Sequence, residues 1–389
     1  MKKKIEIAKI NRKHHENSVG NIVVDGDRDN NNRNTNARYF VSIDIGKRNC
    51  VACITDKDGL IIEETKYGNS LSEAHDFAQH IDSQYKCTNC TAVVESTANM
   101  WIKTYKALEQ AGIQTKLANP FKTRVIAEAR IKTDKLDARI LCHLLRSNLI
   151  SESYVAPDDV REDRSILRLR INLVQDRTRV VNRIHSLLDK YDESYDCGSH
   201  LTCKKGMNWL KTLRLDGNDQ VQLINYISNI EFLNNEIVQI DKKVASQAIK
   251  NEDVKILMSI SGIDYFSAML IMSEIGDITR FNHPNKLVSW SGLCPTIHQS
   301  GNSLYMGRMK DGNKKIRWIM IQAANTAVRT DNRMRKYYAK IVKRHGHSVA
   351  ITHVANKMIR IMWYMLKNKE NYKDRKDELY QRKLKRIQG

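Results

Sequence analysis

The stretch Tyr39-Phe40-Val41-Ser42-Ile43-Asp44-Ile45-Gly46, followed by Cys50-Val51-Ala52-Cys53-Ile54-Thr55, decides the fold of the first half of this chain. Both runs are apolar and rich in β-branched residues, and a turn at Asp56-Lys57-Asp58-Gly59 leads into a third run, Leu60-Ile61-Ile62-Glu63-Glu64. Asp-Gly between apolar runs is a hairpin signal, so the segment reads as strand, turn, strand, turn, strand. Working outward, residues 71–84 carry a helical pattern, and Thr91-Ala92-Val93-Val94-Glu95-Ser96 is a short buried strand. Met100 to Ala111 is a helix ended by Gly112, and Ile113-Gln114-Thr115-Lys116-Leu117 is a further strand before Asn119-Pro120. An α/β domain with a mixed sheet is expected over residues 39–150.

On either side the character changes. Residues 1–38 contain Asp29-Asn30-Asn31-Asn32-Arg33-Asn34-Thr35-Asn36, too polar to offset its ordering entropy by burial, and read as a disordered arm. In 151–251, Ile166, Leu173, Val180 and Leu187 recur every seven positions, supported by Ile184 and Tyr191. Leu223, Ile230, Ile237 and Val244 do the same, flanked by Tyr226, Leu233 and Ile240. These spacings predict two coiled-coil-like helices joined by a polar, Gly-containing connection over 194–218, paired as an antiparallel hairpin or between protomers. Residues 252–366 read as helix-rich with a Gly-punctuated stretch from Gly292 to Gly312, and 367–389 as a basic tail, a solvated helix or a frayed end.

The 389 residues hold 65 Lys plus Arg against 44 Asp plus Glu, a formal charge of +21 that points to a polyanionic partner, nucleic acid first. With only 4 Pro and 17 Gly, long uninterrupted helices are expected and an all-β sandwich is excluded. Eight Cys are too sparse for a disulfide scaffold. No apolar run reaches the length of a membrane span and no signal segment opens the chain, so a cytoplasmic, nucleoid-associated prokaryotic protein with no membrane partner is expected.

Four acids stand out. Asp44 sits inside an apolar strand, Glu95 ends another, and Asp134 and Asp137 lie three apart in Lys132-Thr133-Asp134-Lys135-Leu136-Asp137-Ala138-Arg139, a spacing that shares one helix face. Acids gathered that closely repel unless a cation lies between them, and Mg²⁺ is the hard, oxygen-seeking cation that serves phosphodiester displacement. Taken singly, Asp134 reads equally as a helix cap, Asp137 as an ion-pair partner and Asp44 as a strand terminus.

Leu257-Met258-Ser259-Ile260-Ser261-Gly262-Ile263-Asp264-Tyr265-Phe266 reads as helix, tight turn, helix, where Gly262 lets backbone N–H groups approach a phosphate. A structural helix turn fits as well, because Asp264 would repel that phosphate. Further on, Ser300-Gly301 is followed by Arg308, Lys310, Lys314, Lys315 and Arg317, so a hydroxyl stands near a dense set of cations, with Ser303 an equal candidate nucleophile and no base evident. Arg161, Arg164, Arg168, Arg170, Arg177, Arg179 and Arg183 crowd the first long helix against Glu162, Asp163 and Asp176, which suits contact with RNA or DNA backbone, or else a solvated coiled-coil face. Cys50 and Cys53 fall on opposite sides of a strand and are poorly placed to chelate, while Cys87 and Cys90 read as loop or buried thiols before a metal pair.

In order along the chain, Ser42-Ile43-Asp44-Ile45-Gly46-Lys47, Val94-Glu95-Ser96-Thr97, Lys132 to Ala138, Ser261-Gly262-Ile263, and Gly292-Leu293-Cys294-Pro295 to Ser300-Gly301 closely resemble the DEDD transposases of the insertion-sequence one-ten family. These are relatives of Piv-type invertases, described as bridge-RNA-guided recombinases, and the resemblance covers residues 39–365. It implies an α/β plus α architecture: a RuvC-like domain of RNase-H fold binding Mg²⁺ through Asp44, Glu95, Asp134 and Asp137, a coiled-coil hairpin, and a helical C-terminal transposase domain with a helix-hairpin-helix-like segment. It further implies Ser300 as a nucleophile linked covalently to DNA, donor and target DNA paired to a structured bridge RNA, and active sites assembled between protomers in a tetramer of two dimers. The Asn-rich arm and Asp264 depart from the family pattern. Two other classes fit parts of the sequence: an actin-like sugar kinase, for Ile43 to Gly59, and a non-catalytic nucleic-acid-binding protein. A metal-dependent junction nuclease acting without the serine is a closer variant.

Overall fold

The computed structural model describes residues 37–96, 98–126, 133–196, 200–300 and 303–388, so the polar arm lies almost wholly outside the described residues. The chain divides into two compact units between Val155 and Ala156.

The first unit is built on five strands: β1 Tyr39–Ile45, β2 Asn49–Asp56, β3 Ile61–Gly68, β4 Cys90–Glu95 and β5 Gln114–Ala118. They lie in the order β3-β2-β1-β4-β5, with β1, β2 and β3 antiparallel, β4 parallel to β1 and β5 parallel to β4. The β1–β2 turn is tight: Gly46 donates its N–H to the Asn49 carbonyl at 3.0 Å, and a Cβ at Gly46 would sit 2.4 Å from that oxygen. Strand β3 runs past Glu64 to Gly68; its half-exposed Glu63, Glu64 and Lys66 mark a charged sheet edge, which hides its length from an apolar-run reading.

Alternation along the strands gives the sheet two different faces. Val41, Ile43 and Ile45, with Cys50, Ala52, Ile54, Ala92 and Val94, bury against α1 Leu71–Tyr85 and α2 Trp101–Gln110. Ser70 starts α1 through a capping box with Glu73. Beyond the short α3 Pro120–Ile126, α4 Asp134–Arg146 covers the other face, where Ala138, Leu141, Cys142 and Leu145 pack on Phe40, Val51, Cys53 and Val93. Cys50 and Cys53 therefore bury on opposite faces, as residues three apart in a strand must.

In the second unit, α5 Asp158–Leu188 and α7 Gly217–Ala248 pair as an antiparallel hairpin within the chain, with α6 Lys204–Thr212 between them. Its register is visible in the cross-links Arg170 to Asp241, Arg177 to Asn234 and Lys190 to Asp219. The heptad residues Val180, Leu187, Leu223, Ile230, Ile237 and Val244 are buried. Near the connection, α5 and α7 share a core with Leu201, Met207 and Leu210; at their other ends Leu167, Ile171, Ile240 and Val244 join the core of the C-terminal helices.

Those helices are α8 Glu252–Met258, α9 Tyr265–Ile275, α10 Pro284–Ser291, α11 Lys314–Thr330, α12 Asn332–Asn368, interrupted at Gly346 where φ is +76°, and α13 Asp377–Gln388. Two findings depart from the sequence reading. The Gly-punctuated stretch holds a β-hairpin, β6 Pro295–Ser300 and β7 Ser303–Met309. The basic tail is neither solvated nor frayed along its length: α13 docks, with Ile387 buried and Tyr380 and Leu384 packed against the same core. No helix among the described residues is long and apolar enough to cross a membrane.

Candidate functional site

The candidate acids of the first unit are placed by its sheet. Ser42 lies on the α4 face, where its hydroxyl donates to the Ala138 carbonyl at 2.6 Å, and strand alternation puts Asp44 on that face two residues further along. Val93 buries on the same face, and Glu95 follows it by the same alternation. Because β1 and β4 are parallel and pair Ile43 with Val94, Asp44 and Glu95 come level at the ends of neighbouring strands, both half-buried. Asp134 and Asp137 lie in the first turn of α4, which Thr133 caps by accepting the Leu136 N–H at 3.2 Å; Asp134 is exposed and Asp137 half-buried. A helix N-terminus favours carboxylates there. Among the described residues, no three His, Cys, Asp or Glu side chains are placed to hold one metal ion.

Helix α4 is fixed from both ends. Arg139 donates to both oxygens of Glu64 on β3, at 2.6 and 2.8 Å, and this hydrogen bonding holds the Glu64 carboxyl below the usual carboxylate range. Deeper in, Cys142 lies 3.1 Å from the Phe40 carbonyl and 3.3 Å from the Thr55 hydroxyl. Its hydrogen bond with Cys53 pulls Cys142 down to about 7, and the same bond, with burial, pushes Cys53 up.

In the second unit, Ser300 is the last residue of β6 and pairs with Ser303 at the start of β7; the two residues between lie outside the described set, and Ser303 is exposed. His298, two residues before Ser300, is exposed near the Tyr305 ring; it was not singled out from sequence, where only hairpin alternation could have placed it beside the serine. Arg308 is exposed on β7, Lys310 donates to the Ser289 hydroxyl at 2.8 Å, Lys315 is half-buried in the first turn of α11, and Arg317 donates to the Lys310 carbonyl at 3.0 Å.

The arginines of α5 are largely committed inside the unit. Arg164 donates to the Ser273 carbonyl at 2.7 and 3.0 Å, Arg168 grips the buried Glu274 carboxylate at 2.9 and 3.0 Å, Arg170 grips Asp241 at 2.8 and 3.2 Å, and Arg177 donates to the Asn234 side chain at 2.6 Å. Arg161 pairs with Asp158 and Arg179 with Asp176; Arg179 and Arg183 remain exposed. The local shortage of acids on α5 is made good by α7 and α9. Gly262, with φ +87°, turns its Cβ position onto the backbone of α11, where a methyl would lie 2.4 Å from the Ala323 carbonyl, so packing already demands glycine there. Asp264 caps α9 through the Tyr265 N–H at 2.9 Å. Cys87 and Cys90 are free thiols, Cys90 buried.

A mixed sheet whose acids stand at strand ends under a helix carrying an acidic pair, followed by a helical region with a basic β-hairpin, places the chain among the DEDD-type transposases. Residues 41–192 match the family model described as DEDD transposase of the IS110 type, and residues 254–339 match the one described as transposase IS116/IS110/IS902 family. The chain belongs to this family. It is similar to the transposase for insertion sequence element IS1111A of Coxiella burnetii, 25% identical over 345 residues, 86% of this chain and 91% of that protein. It is also similar to the transposase for insertion sequence element IS1328 of Yersinia enterocolitica, 24% identical over 338 residues, 83% of this chain and 95% of that protein.

Proposed function

We propose that this transposase cuts and rejoins donor and target DNA through Mg²⁺ bound at Asp44, Glu95, Asp134 and Asp137 of a RuvC-like, RNase-H-fold domain and through Ser300 as nucleophile, guided by a structured bridge RNA. The observation that carries this reading is the level placement of Asp44 and Glu95 on adjacent parallel strands, on the face whose covering helix starts with Asp134 and Asp137. Their donor chemistry fits a hard divalent cation, all carboxylate oxygen from three separate elements. When bound, Mg²⁺ supplies positive charge to the non-bridging oxygens of the scissile phosphate.

The chain's own groups do the rest. The Ser300 hydroxyl loses its proton and bonds to phosphorus, and the displaced DNA oxygen leaves with a proton. The phosphoserine conserves the phosphodiester energy, so a hydroxyl on a second DNA end can attack it and release the serine without ATP. Arg308, Lys310, Lys315 and Arg317 provide cations for the phosphates. Exposed Arg179 and Arg183 are the α5 arginines offered to RNA. Dimers assemble into a tetramer in which one protomer's acids serve another's serine.

Purified protein, RNA transcribed from the flanking region, Mg²⁺ and labelled donor and target DNA test this. A denaturation-resistant protein–DNA adduct is expected, mapping by mass spectrometry to Ser300, absent from the Asp44→Asn and Ser300→Ala variants and present in Ser303→Ala. Recombination by either of the first two variants sinks the mechanism. DNA junction cleavage without an adduct replaces it with a nuclease that uses the acids alone, and binding without cleavage replaces it with a non-catalytic binder.

A further inference from the structure

Helix α8 ends at Met258, and its last carbonyls, like those of the turn that follows, need partners. Three of them converge on one atom. Lys383 Nζ lies 2.8 Å from the Met258 carbonyl, 2.7 Å from that of Ile260 and 2.7 Å from that of Ile263, so each ammonium hydrogen has its own acceptor. The lysine arrives from α13, far along the chain, and burial pulls it down to about 8 against the attraction of Asp264. Asp264 itself is engaged elsewhere, capping α9 and pairing with Arg386 at 3.1 Å.

A nearly dry cation held by neutral carbonyl oxygens alone is a site set by size and dipole. Mg²⁺ and Ca²⁺ require oxygens at about 2.0–2.6 Å and favour carboxylates, whereas rings of backbone carbonyls that replace a hydration shell suit potassium. The oxygens are also held in place without the lysine. Gly262 is pinned on α11, the Ser259 hydroxyl donates to the Ile256 carbonyl at 2.6 Å and accepts the Tyr372 N–H at 2.8 Å, and Ser259, Ile260, Ser261 and Ile263 are all buried. Withdrawing Lys383 leaves three converged carbonyls with no donor, which is costly.

We propose that the carbonyls of Met258, Ile260 and Ile263 form a site for a weakly hydrated monovalent cation of potassium or ammonium size, which Lys383 fills from α13 and the free ion fills when that side chain is withdrawn. Lys383 is then a tethered ion, and tail docking and ion binding exclude each other by mutual linkage.

The test uses the full chain. Thermal midpoints of wild type and Lys383→Met are compared in potassium chloride and in tetramethylammonium chloride of equal ionic strength, and bound thallium(I), a potassium mimic, is sought by thallium NMR. The potassium-dependent rise in midpoint is expected to be about 2–4 °C larger in Lys383→Met than in wild type, with a bound thallium signal that potassium displaces and wild type lacks. Equal salt responses and no bound thallium in the variant overturn the proposal and leave Lys383 as a helix cap only. Should Lys383→Met fail to fold in either salt, Ile387→Ala, which loosens α13 and keeps the carbonyls, decides: thallium binding supports the site, and its absence overturns it.

Discussion

The Ser42 hydroxyl donates to the Ala138 carbonyl at 2.6 Å, tying the middle of β1 to α4 two residues before β1 presents Asp44. Ser42 is fully buried. Ser42→Ala should therefore cost about 0.5–1.5 kcal/mol of stability, lowering the midpoint by a few degrees, and should slow strand transfer without abolishing it, because the acids remain. Calorimetry and an adduct-formation time course check both halves; wild-type rates in this variant would show that the tie does not position the acids.

Glu64 and Arg139 give the first unit a pH dependence of known sign. The carboxyl is held below its ordinary range in the folded chain, so the folded state binds fewer protons than the unfolded one through that interval. The stabilisation is present above about pH 4.3, the ordinary glutamate value, and is lost as pH falls through the lower folded value. Glu64→Gln should flatten the acid limb of the stability curve between those values; an unchanged limb contradicts the assignment.

Gly262 tests packing against flexibility. Alanine there must hold φ near +87° with its Cβ 2.4 Å from the Ala323 carbonyl, a strain of about 1–3 kcal/mol before the clash is relieved. Gly217 also has positive φ but open space around its Cβ position. Gly262→Ala should lower the thermal midpoint clearly more than Gly217→Ala, and equal losses would mean that the close approach to α11 is unimportant.

Glu274 is 2% exposed and accepts from Arg168 and, at 2.8 Å, from the Asn313 side chain that caps α11. Glu274→Leu alone should cost about 3–5 kcal/mol by stranding Arg168. The double variant Arg168→Met with Glu274→Leu should recover part of that loss. Additive losses on a double-mutant cycle would deny the coupling.

Much of this was legible in the sequence because the signals are local. The five strands follow from apolar runs and an Asp-Gly turn, the opposite burial of Cys50 and Cys53 from strand pleat, and the paired long helices from the seven-residue spacing. What escaped depends on partners distant in the chain. The arginines of α5 read as excess charge because Asp241 and Glu274 lie some seventy and one hundred residues further on. The docking of α13 rests on Ile387 and Lys383, which a basic, low-hydropathy tail does not advertise. The β6–β7 hairpin was hidden by its short strands and Gly-rich surroundings. For the acids, the sequence supplied residue types and order, and only strand register set Asp44 level with Glu95.

The long hairpin of α5 and α7 has its root in the core of the C-terminal helices and its head in a separate core of its own. It is thus a cantilever with a detachable head. A relative's head could be grafted at matching positions without repacking the root, and substitutions in the head would tune its cargo while the clamp that bears it stays unchanged.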